Sequence, residues 1–341
     1  MKISSKLTFL AVLVFILFSC SNTGELDKVE YGFLAPKHGL QPNKEYEVLW
    51  DISNISVTEL SSLPPLVGVP KKIIVQGMEK DSLPRVQVFA LDSSSGNIIW
   101  KIDGKDWGHI IAQDDVLYRG TGGTATVQAF NIENAELLWS TRLPWAHSTS
   151  DMHFSENKIF IYTNDDEFFV LNDQGEILDN YRETYRIFLE ANGIIYMEDD
   201  LSIKAIDSST NQEVWQVDVD EPYYNSPIFD NGTIFIRTYS IPTKIYSINQ
   251  TSGKVDWNLS QNVASNLCIL NDKVYFTSLE GYLVALDRYS GKEISKVKFS
   301  PKIDLDKLFR NYFIACDSSN NVLVISFGDN TQIMGLKVVN P

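Results

Sequence analysis

One pattern recurs along most of this 341-residue chain at a spacing of about 40 residues, and few folds can accommodate it. It reads Ala90-Leu-Asp92-Ser-Ser-Ser-Gly96-Asn-Ile-Ile-Trp100 and returns as Ala129-Phe-Asn131-Ile-Glu-Asn-Ala135-Glu-Leu-Leu-Trp139. A copy shorter by one residue runs from Val170 to Asp179. Fuller copies end at Trp215 and Trp257, and a sixth runs from Ala285 to Ser295. The seventh, degenerate copy is assigned to Val324–Met334. A second marker keeps step with the first: an Asn/Asp turn before an apolar run, as in Asn157-Lys-Ile-Phe-Ile161, Asn192-Gly-Ile-Ile-Tyr196 and Asp272-Lys-Val-Tyr-Phe276.

The chemistry of each unit is that of strands and tight turns. β-Branched and aromatic residues fill the runs, and no 3.6-residue period appears after residue 20. The Asp or Asn after the apolar pair can hydrogen-bond its own turn, and the Gly four residues later supplies a positive φ. Asn-Gly at 192–193 and 231–232 marks hairpins. Each unit therefore reads as about four antiparallel strands. Repeats of that size and content predict an all-β fold, a single β-propeller.

The recurring Ala-Leu-Asp-x-x-x-Gly-x-x-x-Trp resembles the pyrroloquinoline-quinone-type propeller repeat, over residues 46–341. The resemblance implies that Trp100, Trp139, Trp215 and Trp257 pack between neighbouring blades, and that three copies have lost this residue. Seven motif copies predict seven blades. Tyr46-Glu-Val-Leu-Trp50 reads as one more outer strand, which either closes the last blade or begins an eighth.

The N-terminus reads as an address. Lys2 and Lys6 precede an apolar run from Phe9 to Phe18, too short to span a ~30 Å hydrocarbon core. It ends in Leu17-Phe-Ser-Cys20, which resembles the bacterial lipobox and implies a signal peptide over 1–19 and lipidation at Cys20. Ser21, where an Asp would retain the protein at the inner membrane, implies the outer membrane. Residues 20–45 read as a lipidated tether. Cys268 and Cys316 lie in apolar runs and read as buried thiols. A disulfide would need their Cα atoms within ~7 Å, which the sequence leaves open.

A formal charge of −15 with no basic cluster argues against nucleic acid. The family's dehydrogenases hold their quinone beside adjacent cysteines and a calcium ion. Here Cys268 and Cys316 are far apart in the chain, and no Asp-x-Asp-x-Asp-Gly loop occurs. The four histidines show no zinc spacing, and Gly120-Thr-Gly-Gly123 lacks the Lys-Ser/Thr of a phosphate loop. The expectation is a protein without cofactor, metal or enzymatic activity.

One constellation rises above the background. The links between blades carry Trp107-Gly-His109, Trp145-Ala-His147, Tyr181 and Tyr185, and Tyr223-Tyr224. The two Trp-x-His triplets follow their blade tryptophans at similar distances, so they are predicted to occupy matching places. Acidic turns at Asp165-Asp-Glu167 and Glu198-Asp-Asp200 are predicted on the same face. Tyr and Trp are the usual anchors of interfaces, and the same rings stack on sugars. Lipobox, tether and single propeller together resemble the lipoproteins of outer-membrane β-barrel assembly. That resemblance implies envelope proteins as partners, including barrel-assembly components, with glycan binding as the alternative.

Overall fold

Every regular element among the described residues is a strand, and the strands form seven antiparallel sheets, the blades of a propeller. The computed structural model describes residues 45–341 except 58–65, 80–85, 105–107, 166, 183–185, 200, 220–226, 239–241, 300–311, 327–331 and 340–341. The first strand of each blade is innermost and the fourth forms the rim. Blade 2 is typical, with β7 (Ile110–Gln113), β8 (Val116–Gly120), β9 (Thr126–Asn131) and β10 (Leu137–Arg142) paired in that order. Blades 1 and 3 to 6 are built from β3–β6 (66–103), β11–β14 (149–182), β15–β18 (186–218), β19–β22 (228–261) and β23–β26 (268–298). A short β2 (Ile55–Ser56) also pairs with the second strand of blade 1.

Blade 7 settles the count. It contains β27 (Phe313–Asp317), β28 (Val322–Ser326) and β29 (Ile333–Val338), and its rim strand is β1 (Tyr46–Ile52) from the other end of the chain. The N-terminal strand therefore closes the seventh blade, and no eighth is begun. The register also corrects the seventh motif copy. Val324 lies on β28, a second strand, whereas Gly335 on β29 pairs with Trp50, just as Ala129 pairs with Trp139 in blade 2.

The core lies between blades. Tyr118 and Val127 of blade 2 pack on Ile159, Ile161 and Phe169 of blade 3, and Phe235 and Ile245 of blade 5 on Val274, Phe276 and Val284 of blade 6. Middle strands are covered on both faces, which is why β4 (Lys72–Glu79) carries the uninterrupted run Ile73-Ile-Val75.

Each repeat tryptophan locks its blade to the next. The Trp257 indole N–H donates to the Arg288 carbonyl at 2.8 Å. Trp100 reaches Ile132 at 2.9 Å, Trp139 reaches Asp173 at 2.8 Å and Trp215 reaches Gln250 at 3.1 Å. Each acceptor is the residue after the motif Asp or Asn (Gln250 follows Asn249, for example) in the following blade. Trp50 does the same with Ser93 at 2.8 Å, so the structure adds a fifth lock to the four expected from sequence. Asp179 and Ser295 stand at the two positions without one.

The motif glycine belongs to the same device. Gly291 has φ +67°, and a Cβ there would lie 2.7 Å from the Trp257 ring. Gly291→Ala is expected to cost about 1–2 kcal/mol from backbone conformation alone, plus the clash. In a Trp257→Ala background the clash component disappears, so a double-mutant cycle of thermal melts should show coupling. Strict additivity would contradict this packing.

The third-to-fourth-strand turns also predict an acid response. Asp207 accepts from the Ser209 hydroxyl at 2.7 Å and from the Ser209 and Thr210 amides at 2.9 and 2.8 Å, which holds its carboxyl at about 2. A depressed carboxylate contributes stability above its unfolded value of about 3.9, and that contribution is lost as the pH falls through about 2. An NMR titration of the Asp207 carboxyl should give a midpoint near 2; a midpoint near 4 would show that the turn does not hold it.

Candidate functional site

The turns and links sort onto two faces. First-to-second-strand turns meet third-to-fourth-strand turns on one face, where the Ile132 amide donates to Asp115 O at 2.9 Å and that of Arg288 to Asp272 O at 3.1 Å. Second-to-third-strand turns meet the inter-blade links on the other. There the Leu143 amide donates to Ala125 O at 2.9 Å and that of Phe299 to Gly281 O at 3.0 Å.

On this second face the link from blade 2 to blade 3 presents Trp145. Leu143 and Ala146 are buried in the core between those blades, which leaves the residues between them facing outward. Trp145 is 78% exposed and has φ +60°, a left-handed conformation that is costly for a bulky residue. The segment is tied down on both sides. The Arg142 guanidinium donates to the carbonyls of Ala125 and Leu143, both at 3.1 Å. The His147 amide donates to the Asp165 carboxylate at 2.8 Å, and its ring Nδ1 lies 2.9 Å from the other Asp165 oxygen. The Asn164 side-chain amide donates to the Ser148 hydroxyl at 2.6 Å. Blade 3's acidic turn thus clamps the link, and the indole is held in solvent on a rigid frame.

The aromatic link residues do not share one fate. His147 is exposed beside Trp145, its side chain 85% accessible, whereas His109 is 3% exposed and packed inside. His109 directly precedes β7, while Ser148 separates His147 from β11 (Thr149–Ser155). A one-residue offset in extended chain turns a side chain to the opposite side, so the two triplets are not equivalent. Trp107, Tyr185, Tyr223 and Tyr224 lie outside the described residues, as do Cys20, Asp166 and Asp200. Tyr181 pairs with Phe168 on β14 (Ile177–Arg182).

Two features escaped the sequence. The innermost strands surround a cavity of about 410 Å³, lined by Val67, Ile111, Ile228, Ile269 and Ile314 among others. Among the described residues every lining residue is apolar, glycine or cysteine, a lining that does not fit a polycarboxylate quinone. On its wall Cys268 and Cys316 form a disulfide with Cα atoms 6.1 Å apart. The two cysteines are therefore not free thiols: neighbouring inner strands bring together residues 48 positions apart.

The family model described as outer membrane protein assembly factor BamB matches residues 85–186 and 186–327. No curated protein sequence matches the chain. Among solved structures, BamB from Moraxella catarrhalis superposes with a TM-score of 0.52 at 14% identity, covering 86% of this chain and 99% of that one. A chain of the mitotic checkpoint complex superposes with a TM-score of 0.63 at 11% identity, covering 97% and 99%. At such identities both likenesses concern the fold alone.

Proposed function

The chain belongs to the family of outer membrane protein assembly factor BamB, and from that membership we propose that it is a lipid-anchored, non-enzymatic scaffold that binds envelope proteins during outer-membrane protein assembly. The observation that carries the binding role is Trp145. An exposed indole on a pre-ordered frame buries a large apolar area on contact and loses little conformational freedom in doing so. The neighbouring His147–Asp165 pair supplies polar recognition at its edge.

The Val339 amide donates to the Glu45 carbonyl at 2.9 Å, so the chain enters β1 on the face opposite Trp145. A tether over 20–45 would then join the propeller at the face away from Trp145 and leave the indole clear of the attachment point. Extended, it reaches roughly 80 Å, enough to hold the disc clear of the bilayer.

Crosslinked capture of the tagged full-length protein from its native membranes tests both halves. The expected result is enrichment of outer-membrane assembly proteins over a matched lipoprotein control, and release of a Cys20→Ser variant from the membrane fraction. Membrane retention of that variant would contradict the anchor. Enrichment of glycan-uptake proteins would favour the second reading, in which the Trp145 ring stacks on a sugar.

A further inference from the structure

Five blade interfaces carry the tryptophan lock, and the other two are held differently. Between blades 3 and 4, where Asp179 replaces the ring, polar cross-links take over. Lys158 pairs with Glu190 at 2.8 Å, and the Asn192 amide donates to Glu156 at 2.6 Å. Between blades 6 and 7, where Ser295 replaces it, the Ser295 and Tyr46 hydroxyls meet at 3.0 Å. Nearer the axis, the Asn266 side chain donates to Ile314 O at 2.8 Å and accepts from Ile314 N at 2.9 Å. The Cys268–Cys316 disulfide crosses this same interface, from β23 (Cys268–Leu270) to β27.

We propose that this disulfide is a redox latch, which closes the blade 6–blade 7 interface in place of the missing tryptophan and makes the rigidity of the ring conditional on an oxidising compartment. Blade 7 joins β1 to β27, β28 and β29 and so carries the closure of the ring, and the disulfide holds its innermost strand. Both cysteines line the central cavity, which gives a small dithiol a route to them. Its thiolate attacks one sulfur, the S–S bond breaks and a mixed disulfide forms. The reagent's second thiol then displaces the protein sulfur. Two electrons and two protons pass to Cys268 and Cys316, and the reagent leaves as its cyclic disulfide. The cross-link constrains a loop of 48 residues, a length at which the loss is felt throughout the unfolding equilibrium.

The test is amide hydrogen exchange on the full chain, purified from the envelope, before and after dithiothreitol. Protection in β23 and β27 should fall at least tenfold on reduction, and by a clearly larger factor than in β11 and β15 (Arg186–Ala191) at the unlatched blade 3–blade 4 interface. The melting temperature should drop by roughly 5–10 °C. A Cys268→Ser/Cys316→Ser variant should match the reduced protein and ignore dithiothreitol, and adding Ser295→Trp should recover part of the protection. Unchanged exchange in β23 and β27 after confirmed reduction would overturn the latch. So would two alkylatable thiols in the unreduced, envelope-derived protein.

Discussion

Trp50→Ala is expected to lower the melting temperature by about 10 °C, more than any other single substitution at the rim. The indole is buried against blade 1, where its N–H reaches Ser93 and its ring lies over Gly96. Removing a buried tryptophan costs about 3–5 kcal/mol, and each kcal/mol shifts a domain of this size by a few degrees. Trp50 also sits on the strand that closes the ring. Its loss weakens the pairing of β1 with β29, where Gly335 leaves room for the ring: a Cβ there would lie 2.2 Å from it. Trp50→Phe keeps most of the packing and loses the hydrogen bond, so it should cost only about 1 kcal/mol beyond the lost ring area. Thermal melts of the three proteins decide this. A Trp50→Ala melt equal to wild type would mean that β1 does not close the seventh blade.

Trp145→Ala is expected to weaken partner binding by at least tenfold while leaving the melting temperature unchanged. Interface anchors of this type are worth 2 kcal/mol or more on truncation. The exposed indole contributes little to the fold, because Leu143 and Ala146 hold the link in its absence. The left-handed backbone at residue 145 even favours a smaller side chain. Asp165→Asn keeps the indole but replaces the carboxylate that accepts from the His147 amide, so it should give a smaller loss of affinity. Titration calorimetry against the captured partner measures both. An unchanged affinity for Trp145→Ala would move the binding surface elsewhere on the disc.

The repeat was legible because local chemistry writes it: an Asx turn, a positive-φ glycine and an inter-blade tryptophan recur within eleven-residue windows. What stayed hidden depends on contacts that span the chain. Trp50 belongs to a blade whose other strands begin at Phe313, so no local window links it to its motif. The seventh copy was misregistered because β28 and β29 are both apolar and Lys337 stands in place of the motif Asp. The disulfide required knowing that β23 and β27 are neighbours. At the candidate site, the Trp145 and His147 link was readable as an aromatic excess. The opposite orientations of His109 and His147 turn on one inserted residue, Ser148, which no composition argument detects.

The most direct test of the scaffold account is site-specific photocrosslinking in intact cells, with the reactive residue placed at position 147 or at Thr251 on the opposite face. The account predicts adducts with outer-membrane assembly proteins from position 147, and none of them from position 251. Equal adducts from both faces, or assembly proteins captured from 251 alone, would contradict it.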